Sequence, residues 1–339
     1  MFYNYKKLLT SLIVISVLLL MVSGSYAQDK VWTLKLGSKM VENHVESEAV
    51  KKFMELAEDR SDGRIKFDSY FGEILGNSKT QLENVTTGLQ DFYVESYTFF
   101  ANYIPEFRVH SLPYLFADNE EYRKFLLSPI EEEMEKALKD AIGLRIICED
   151  KNWLRGPYRI IASRNPIKSL EDVKGLKLRQ PDAQSTIKTW SALGASISII
   201  PYSEVYLAIQ QGMVDAVTCP IVNLYSDKFY ELVHHATITH EYQQQVAIVM
   251  NNDKFESMPE DLQNIIIEAA NEAGDYCTER VNEIGEQMRE KLVTEYGMNI
   301  YEIDLAPWRE KAAEVHKDLE ESGFIPEGLL DEINTYLES

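Results

Sequence analysis

Strand and helix patterns alternate through the first hundred residues, and this alternation constrains the fold more than any other feature. Residues 31–37 alternate apolar and polar side chains, as a half-buried strand does. A helix pattern follows at 46–63, then a strand at 64–70, a helix at 77–88 and a strand at 91–96. Strands separated by helices pair in parallel, so we expect a mostly parallel sheet covered by helices.

The alternation starts again in the second half of the chain. Strand patterns lie at 158–163, 176–179 and 214–218, and helix patterns lie at 183–195 and 202–212. We therefore predict a second α/β lobe. No low-complexity linker separates the halves, so the chain is expected to cross between the lobes more than once. A cleft between two such lobes, at the carboxyl ends of the strands, is a usual place for a small ligand.

A long apolar periodicity covers residues 258–297. Pro259 suits the first turn of a helix, and Gly297 suits its end. A single helix of this length exceeds one lobe at about 1.5 Å per residue, so we predict that it lies across both. The alternative is a pair of helices that break near Gly274 or Gly285.

The amino-terminal segment has the pattern of a secretory signal peptide. Lys6 and Lys7 precede an apolar run at 8–22, and a small-residue pattern ends at Ala27. We predict that residues 1–27 are cleaved off and that the mature protein is periplasmic. The alternative is an uncleaved anchor, although the run is short for a membrane span.

The chain is strongly acidic. It has 55 Asp and Glu residues against 34 Lys and Arg residues, which gives a formal net charge of −21 at pH 7. A protein with this charge does not hold nucleic acid or an anionic membrane by general electrostatics. An anionic ligand would have to bind to a few local cations, which makes a well-placed arginine informative.

Two arginines are candidates for such a cation. Arg179 lies at the end of the strand pattern at 176–179, and Arg159 lies at the start of the one at 158–163. The planar guanidinium group matches a carboxylate in a bidentate pair. The alternative is that each arginine pairs with one of the many acids on the protein surface.

Other polar and aromatic residues near this strand allow two interpretations. Asp182 could contact a ligand, but a cap for the helix that starts at 183 is the more frequent role of such a residue. Tyr202, Tyr206 and Trp190 could line an apolar pocket or pack in the core.

An odd number of widely spaced cysteines does not indicate a disulfide framework, although one bridge stays open. Cys219, together with one of three histidines downstream, could act as a thiol nucleophile, but no orienting group or oxyanion motif accompanies it. The sequence has no Cys-x-x-Cys pattern, and no metal or cofactor is predicted. The cysteines are Cys148, Cys219 and Cys277, and the histidines are His234, His235 and His240.

Short motifs follow one another in a specific order along residues 31–320. The clearest are GLKLRQP at 175–181 and PYSEVYLAIQQGMVDAVTCP at 201–220. The other segments are GEILGN at 72–77, HSLPYLF at 110–116, RIIASRNPIKSLEDVKGLKLR at 159–179 and THEYQQQVAIVMNNDKFESMPEDLQNIIIEAA at 239–270. As a set they resemble the solute-binding proteins of tripartite ATP-independent periplasmic (TRAP) transporters, the DctP-type family.

The resemblance implies an α/β periplasmic binding protein with two lobes, each a mostly parallel sheet flanked by helices. Such a protein closes around a small organic acid and delivers it to a membrane permease driven by an ion gradient. It uses no cofactor and catalyses no reaction. A helix near 259–296 would connect the lobes. The implied lobes are 28–154 with 243–283, and 155–242 with 284–339.

The resemblance also implies a ligand site. In the family, the arginine at the position of Arg179 forms a salt bridge with the ligand carboxylate. Two positions depart from the family pattern, since Cys219 stands where Asn is frequent and Asp182 where a neutral group is frequent. Lys39 stands where some relatives have a polar ligand contact. The implied ligand-binding residues are Arg179, Arg159, Glu95, Asp182, Tyr202 and Cys219.

The sequence leaves two alternative functions and the choice of ligand open. A binding protein of this type could serve a membrane sensor instead of a transporter. A secreted enzyme that uses Cys219 is the other alternative. The ligand itself could be an aromatic acid, a hydroxy or keto acid, or a sugar acid.

Overall fold

Residues 30–339 are described by a computed structural model. The predicted signal peptide at 1–27 lies outside this range. Within it, no helix combines the length and the apolar character that a bilayer crossing requires. Eleven strands and eleven α-helices form the described chain, and they are arranged around two separate β-sheets.

The strands predicted from the alternation are all present, and a short 3-10 turn at Tyr202–Glu204 extends the helix that begins at Val205. Besides the six strands and five helices named in the sequence analysis, the described chain has five further strands and six further α-helices. The strands are β1 Trp32–Ser38, β2 Ile65–Tyr70, β3 Phe92–Ser96, β4 Leu144–Ile146, β5 Arg159–Ser163, β6 Lys177–Gln180, β7 Ser196–Ile199, β8 Ala216–Pro220, β9 His235–Ile238, β10 Val246–Asn251 and β11 Asn299–Glu302. The helices are α1 Val45–Arg60, α2 Ser78–Thr86, α3 Asn119–Leu126, α4 Pro129–Ile142, α5 Gln184–Ala192, α6 Val205–Gln210, α7 Ile221–Ser226, α8 Asn252–Glu256, α9 Glu260–Thr294, α10 Ala306–Glu321 and α11 Leu329–Glu338.

Each sheet is mostly parallel and contains one reversed strand. The first has the order β2-β1-β3-β10-β4, with β10 antiparallel to both of its neighbours. The second has the order β11-β9-β5-β8-β6-β7, with β5 antiparallel to both of its neighbours. The reversed strands β5 and β10 each follow a crossing from the other sheet, whereas β11, which follows a third crossing through α9, pairs in parallel with β9. The chain therefore crosses between the sheets more than once, as predicted.

The periodicity at 258–297 forms one continuous helix, α9, which is 35 residues long. At about 1.5 Å per residue it spans about 52 Å. The glycines that suggested a break are packing points instead. A Cβ atom at Gly274 would lie 1.9 Å from Asn152 Oδ1, and one at Gly285 would lie 2.5 Å from Pro157 Cγ. Glycine is needed there because the segment that joins the two sheets crosses the helix at close range.

The two sheets have separate hydrophobic cores, and α9 contributes to both. Its residues Ile266 and Ala273 pack in the core of the first sheet, whereas Leu292 packs in a core of the second. Buried side chains between 315 and 333 also belong to the first core. The lobe limits stay a proposal, and this packing favours assigning 315–333 to the first lobe and not to the second.

Candidate functional site

The candidate site lies where strands of both sheets reach their carboxyl ends. Two adjoining cavities, of about 190 Å³ and about 30 Å³, meet there. They share Lys39 and Phe99 from the side of the first sheet, and Arg179, Pro181 and Tyr202 from the side of the second. This is the place where the sequence predicts a ligand cleft.

Two other depressions are larger. One of about 580 Å³ is lined mainly by charged side chains of α4, β4 and the segment that follows β4, and it includes neither candidate arginine. The other, of about 430 Å³, lies on the far side of Tyr202 and shares Lys39 with the site. Size alone therefore does not identify the site. Arg179, a buried cation, lines both of the smaller cavities and neither depression, and this distinguishes the smaller cavities.

Arg179 projects from β6 and lines both cavities of the site. It is 4 % exposed, and its Nε donates a hydrogen bond of 2.9 Å to the carbonyl oxygen of Ile200. Among residues 30–339 no carboxylate forms an ion pair with it. Burial lowers the pKa of Arg179 to about 10, so the group stays charged at neutral pH. The site thus contains a buried cation whose outer nitrogens are open to a ligand.

Arg159, at the start of β5, differs from Arg179 because all three of its side-chain nitrogens have partners within the protein. Its three nitrogens donate to Glu241 Oε1 at 2.7 Å, Gln244 Oε1 at 2.6 Å and Thr218 Oγ1 at 3.0 Å. The guanidinium group also lies 4.2 Å from the ring centre of Tyr242. Arg159 lines the smaller cavity, but its donors are already bound within the protein.

Glu95 ends β3 and is fully buried behind Lys39. Its carboxylate accepts hydrogen bonds from Lys39 Nζ at 3.2 Å, Arg155 at 3.0 Å and the Ser96 amide at 2.7 Å. Burial alone would raise the pKa of Glu95, but the charges of Lys39 and Arg155 outweigh it and lower the pKa to about 2. Glu95 does not line either cavity and reaches the site through Lys39.

Arg155 is a buried residue that the sequence interpretation missed. It forms a bidentate pair with Glu46, with distances of 2.6 Å and 3.2 Å, and also contacts Glu95. The segment RGPYR contains both Arg155 and Arg159, and the resemblance selected only the second. The available signal was the presence of two arginines four residues apart at the crossing between the lobes.

Asp182 lines the larger cavity and is exposed to solvent. The N-cap residue of α5 is Ala183, and Asp182 makes no capping hydrogen bond. The interpretation of Asp182 as a helix cap is therefore wrong, because the helix begins one residue later than that role requires. Its carboxylate accepts a hydrogen bond of 3.3 Å from Gln184 Nε2.

Tyr202 stands between the cavities, beneath the two cations that line both of them. Its ring centre lies 5.6 Å from the Arg179 guanidinium and 5.8 Å from Lys39 Nζ. The hydroxyl group donates to Asp227 and accepts from Asn223 Nδ2, so its orientation is fixed. The other aromatic candidates lie elsewhere. Trp190 is buried in a core, and Tyr206 faces the depression beyond Tyr202.

Cys219 lies at the end of β8 and lines the smaller cavity. It is buried, and burial raises the pKa of its thiol to about 12. A thiol with this pKa is not ionised at neutral pH and is a poor nucleophile. All three cysteines are free. In the described part of the chain, no group of three or more His, Cys, Asp or Glu side chains has an arrangement that could hold a metal ion.

Glu73 is a further cavity residue that the sequence interpretation missed. It follows β2, lines the larger cavity and is 9 % exposed. Its Oε2 accepts a hydrogen bond of 3.0 Å from the backbone amide of Ser203, on the opposite side of the cleft. The backbone at Glu73 has a φ of 61°, a conformation that is rare for residues other than glycine and that often occurs at functional positions.

Comparisons with known proteins agree with this arrangement. A crystal structure of a TRAP periplasmic solute-binding protein from Ochrobacterium anthropi, with bound L-fuconate, superposes with a TM-score of 0.83 at 30 % identity. One from Roseobacter denitrificans, with bound L-galactonate, superposes with a TM-score of 0.82 at 25 % identity. Each match covers 91 % of this chain and 99 % of the other. The predicted two-lobed α/β fold with its long helix is therefore confirmed.

Sequence comparison gives the same result. The 2,3-diketo-L-gulonate-binding periplasmic protein YiaO of Escherichia coli is 28 % identical over 292 residues, which cover 86 % of this chain and 83 % of that protein. The profile described as bacterial extracellular solute-binding protein, family 7 (DctP), matches residues 36–322. The resemblance found from the motifs is thereby confirmed, and the chain belongs to this family of extracellular solute-binding proteins.

Proposed function

We propose that this protein captures a small organic acid in the cleft between its lobes and delivers it to the membrane permease of a TRAP transporter. The observation that carries the proposal is the environment of Arg179. A buried guanidinium group is stable when it is paired, and this one has no carboxylate partner among the described residues. A carboxylate that enters the cavity would complete its hydrogen bonds.

The remaining candidate residues have distinct proposed roles. Tyr202 supports the bound acid from below, and Asp182 faces it from the rim of the larger cavity. Arg159 and Cys219 shape the smaller cavity. Glu95 acts indirectly, since it holds Lys39 in place.

Closure of the cleft follows from the origin of the lining residues. The same cavity is lined by residues from the side of the first sheet and by residues from the side of the second. A ligand therefore makes all of its contacts only when the two sides are close together. The ligand therefore stabilises the closed form. We propose that the permease recognises this form, and that a signal peptide at 1–27 directs the protein to the periplasm.

The ligands of related proteins support a carboxylate. L-Fuconate, L-galactonate and 2,3-diketo-L-gulonate, which appear in the names of the relatives, are all sugar acids with one carboxylate group. The family binds solutes and does not transform them. Together with the neutral, buried thiol of Cys219, this argues against a secreted enzyme.

A ligand screen tests the proposal. Protein comprising residues 28–339 would be unfolded and refolded to remove carried-over ligand, and then heated with organic acids or with their amides. A ligand at about 100 times its Kd stabilises the folded state by about 2.7 kcal/mol, which raises the Tm by several degrees. We expect a shift with an acid and none with its amide. Equal shifts with both, or none across a broad set of acids, would contradict the proposal.

A further inference from the structure

The larger cavity contains acidic groups as well as Arg179. Glu73 and Asp182 both line it, and no cation forms an ion pair with either of them in residues 30–339. The carboxylate of Glu73 is largely buried, and only its Oε2 has a hydrogen-bond partner, the Ser203 amide. Oε1 has no hydrogen-bond partner among residues 30–339, and because Glu73 lines the cavity, a ligand hydroxyl that enters can donate to it.

The cations around the cavities are not equally available to a ligand. Lys39 pairs with Glu95, Arg155 pairs with Glu46 and Glu95, and Arg159 pairs with Glu241. Within residues 30–339, Arg179 is the only buried lining cation that lacks a carboxylate partner. The site therefore neutralises one carboxylate of a ligand and has no second buried cation for another.

We infer that the cleft selects a monocarboxylic acid that carries neutral hydroxyl groups at its far end. Glu73 and Asp182 accept hydrogen bonds from these hydroxyls and exclude a second carboxylate. The inference rests on the proposed function, because it takes Arg179 as the site of the first carboxylate. Apolar groups of Phe99, Ile200 and Pro201 line the same cavity and suit the carbon chain between the two ends.

Two other ligand types fit this cavity less well. An ammonium group would match Glu73 and Asp182, but it would enter a cavity that Lys39, Lys79 and Arg179 also line. A dicarboxylate could place its second group near Lys79, which is exposed at the rim. Water screens an exposed cation, so this contact is weak compared with the repulsion from the buried Glu73. Like charges placed opposite each other are a common means of rejecting a competing ligand.

The test compares acids that differ in one feature. Calorimetry with wild-type protein would use D-gluconate and D-galactonate, the corresponding dicarboxylates D-glucarate and galactarate, and hexanoate, which lacks hydroxyls. We expect a hydroxylated monocarboxylate to bind at least about tenfold more tightly than its dicarboxylate and than hexanoate. A dicarboxylate or hexanoate that binds as tightly would overturn the inference and leave the proposed function intact. If none of the five acids binds, the inference is also overturned. The proposed function is tested separately, by the wider screen of acids and their amides.

Variants identify the residue responsible. Glu73→Gln removes the charge but keeps an oxygen that can accept a hydrogen bond from the Ser203 amide. The quantity compared is the ratio of the monocarboxylate affinity to the dicarboxylate affinity, because a general effect on closure changes both affinities equally and cancels in the ratio. We expect the ratio between the monocarboxylate and its dicarboxylate to fall by about tenfold in Glu73→Gln and by less in the exposed Asp182→Asn. Asp318→Asn, an equal charge change on α10 outside the cavity, should leave the ratio unchanged. An unchanged ratio in Glu73→Gln, or a dicarboxylate affinity that depends on Lys79 in Lys79→Met, would contradict the assignment.

Discussion

The buried cations on the two sides of the cleft differ in how completely they are paired with carboxylates. On the side of the first sheet, Lys39 and Arg155 are bound by Glu95 and Glu46 in one closed network. On the side of the second sheet, Arg159 is likewise paired with Glu241, whereas Arg179 has no carboxylate partner in residues 30–339 and donates one hydrogen bond there, to the carbonyl oxygen of Ile200. Both sides are buried, so the difference lies in the pairing of charge and not in exposure to water.

This difference separates structural charges from binding charges. A buried cation with its carboxylate in place contributes to the framework, and its loss exposes the partner as an uncompensated charge. A buried cation without a partner raises the energy of the empty site, and a ligand lowers that energy by binding. Substitutions in the charge network of the first sheet should therefore change the stability of the fold, and substitution of Arg179 should change the affinity for the ligand.

The largest effect on stability is expected at Arg155. Arg155→Met leaves Glu46 and Glu95 buried with fewer partners, which should lower the free energy of unfolding by about 3–5 kcal/mol. Urea unfolding followed by circular dichroism measures this change. Arg60→Met is a suitable control, because Arg60 pairs with Glu272 on the surface and should lose less than about 1 kcal/mol. Similar losses in the two variants would remove the distinction between framework and surface charges.

The largest effect on binding is expected at Arg179. Arg179→Gln removes the proposed partner of the carboxylate and should weaken binding by about 2–5 kcal/mol, more than about thirtyfold. The free energy of unfolding should stay the same or rise, since an unpaired buried charge disappears. Calorimetry with an acid found in the screen, together with urea unfolding, gives both quantities. A variant that loses stability and keeps its affinity would reverse the comparison.

Acid should weaken the side of the first sheet through Glu95. The pKa of Glu95 falls from an ordinary value of 4.5 to about 2, so the folded state keeps the charged form more strongly than the unfolded state does. Its contribution to stability is complete above about pH 4.5 and is lost as the pH falls through 2, with a total of roughly 3 kcal/mol. Urea unfolding of the wild type between pH 5 and pH 2 should therefore show a steeper loss than that of Glu95→Gln. Parallel losses would mean that Glu95 is not held as an anion.

Much of the fold follows from local patterns in the sequence. The alternation of strands and helices predicted both sheets, because apolar periodicity reports which face of an element is buried. The reversed strand of each sheet was not predictable from periodicity, since parallel and antiparallel strands bury the same faces. The glycines of α9 show a similar limit. Gly274 could indicate a break or a close contact, and only the position of Asn152 decides between them.

The site was predictable where a motif fixes a position and not where distant segments meet. Arg179 was identified because its strand and the following proline form a recognisable segment. Glu73 was missed, because its role depends on Ser203, 130 residues later in the chain. Glu95 was predicted as a ligand contact, and that role stays a prediction. The position of Glu95 behind Lys39 depends on its ion pairs with Lys39 and Arg155, and no sequence pattern indicates these pairs.

The smallest effect is expected at Cys219, which lies between the two arginines of the second sheet. Burial raises the pKa of its thiol to about 12, and Cys148 and Cys277 are also buried, so iodoacetamide at pH 8 should label none of the three in the native protein. Labelling in urea should modify all three, and mass spectrometry counts them. Cys219→Ser should change ligand affinity far less than Arg179→Gln, because a neutral thiol supplies no charge to the acid. Selective labelling of Cys219 in the native protein would make it a reactive thiolate, and the secreted-enzyme alternative would then have to be tested.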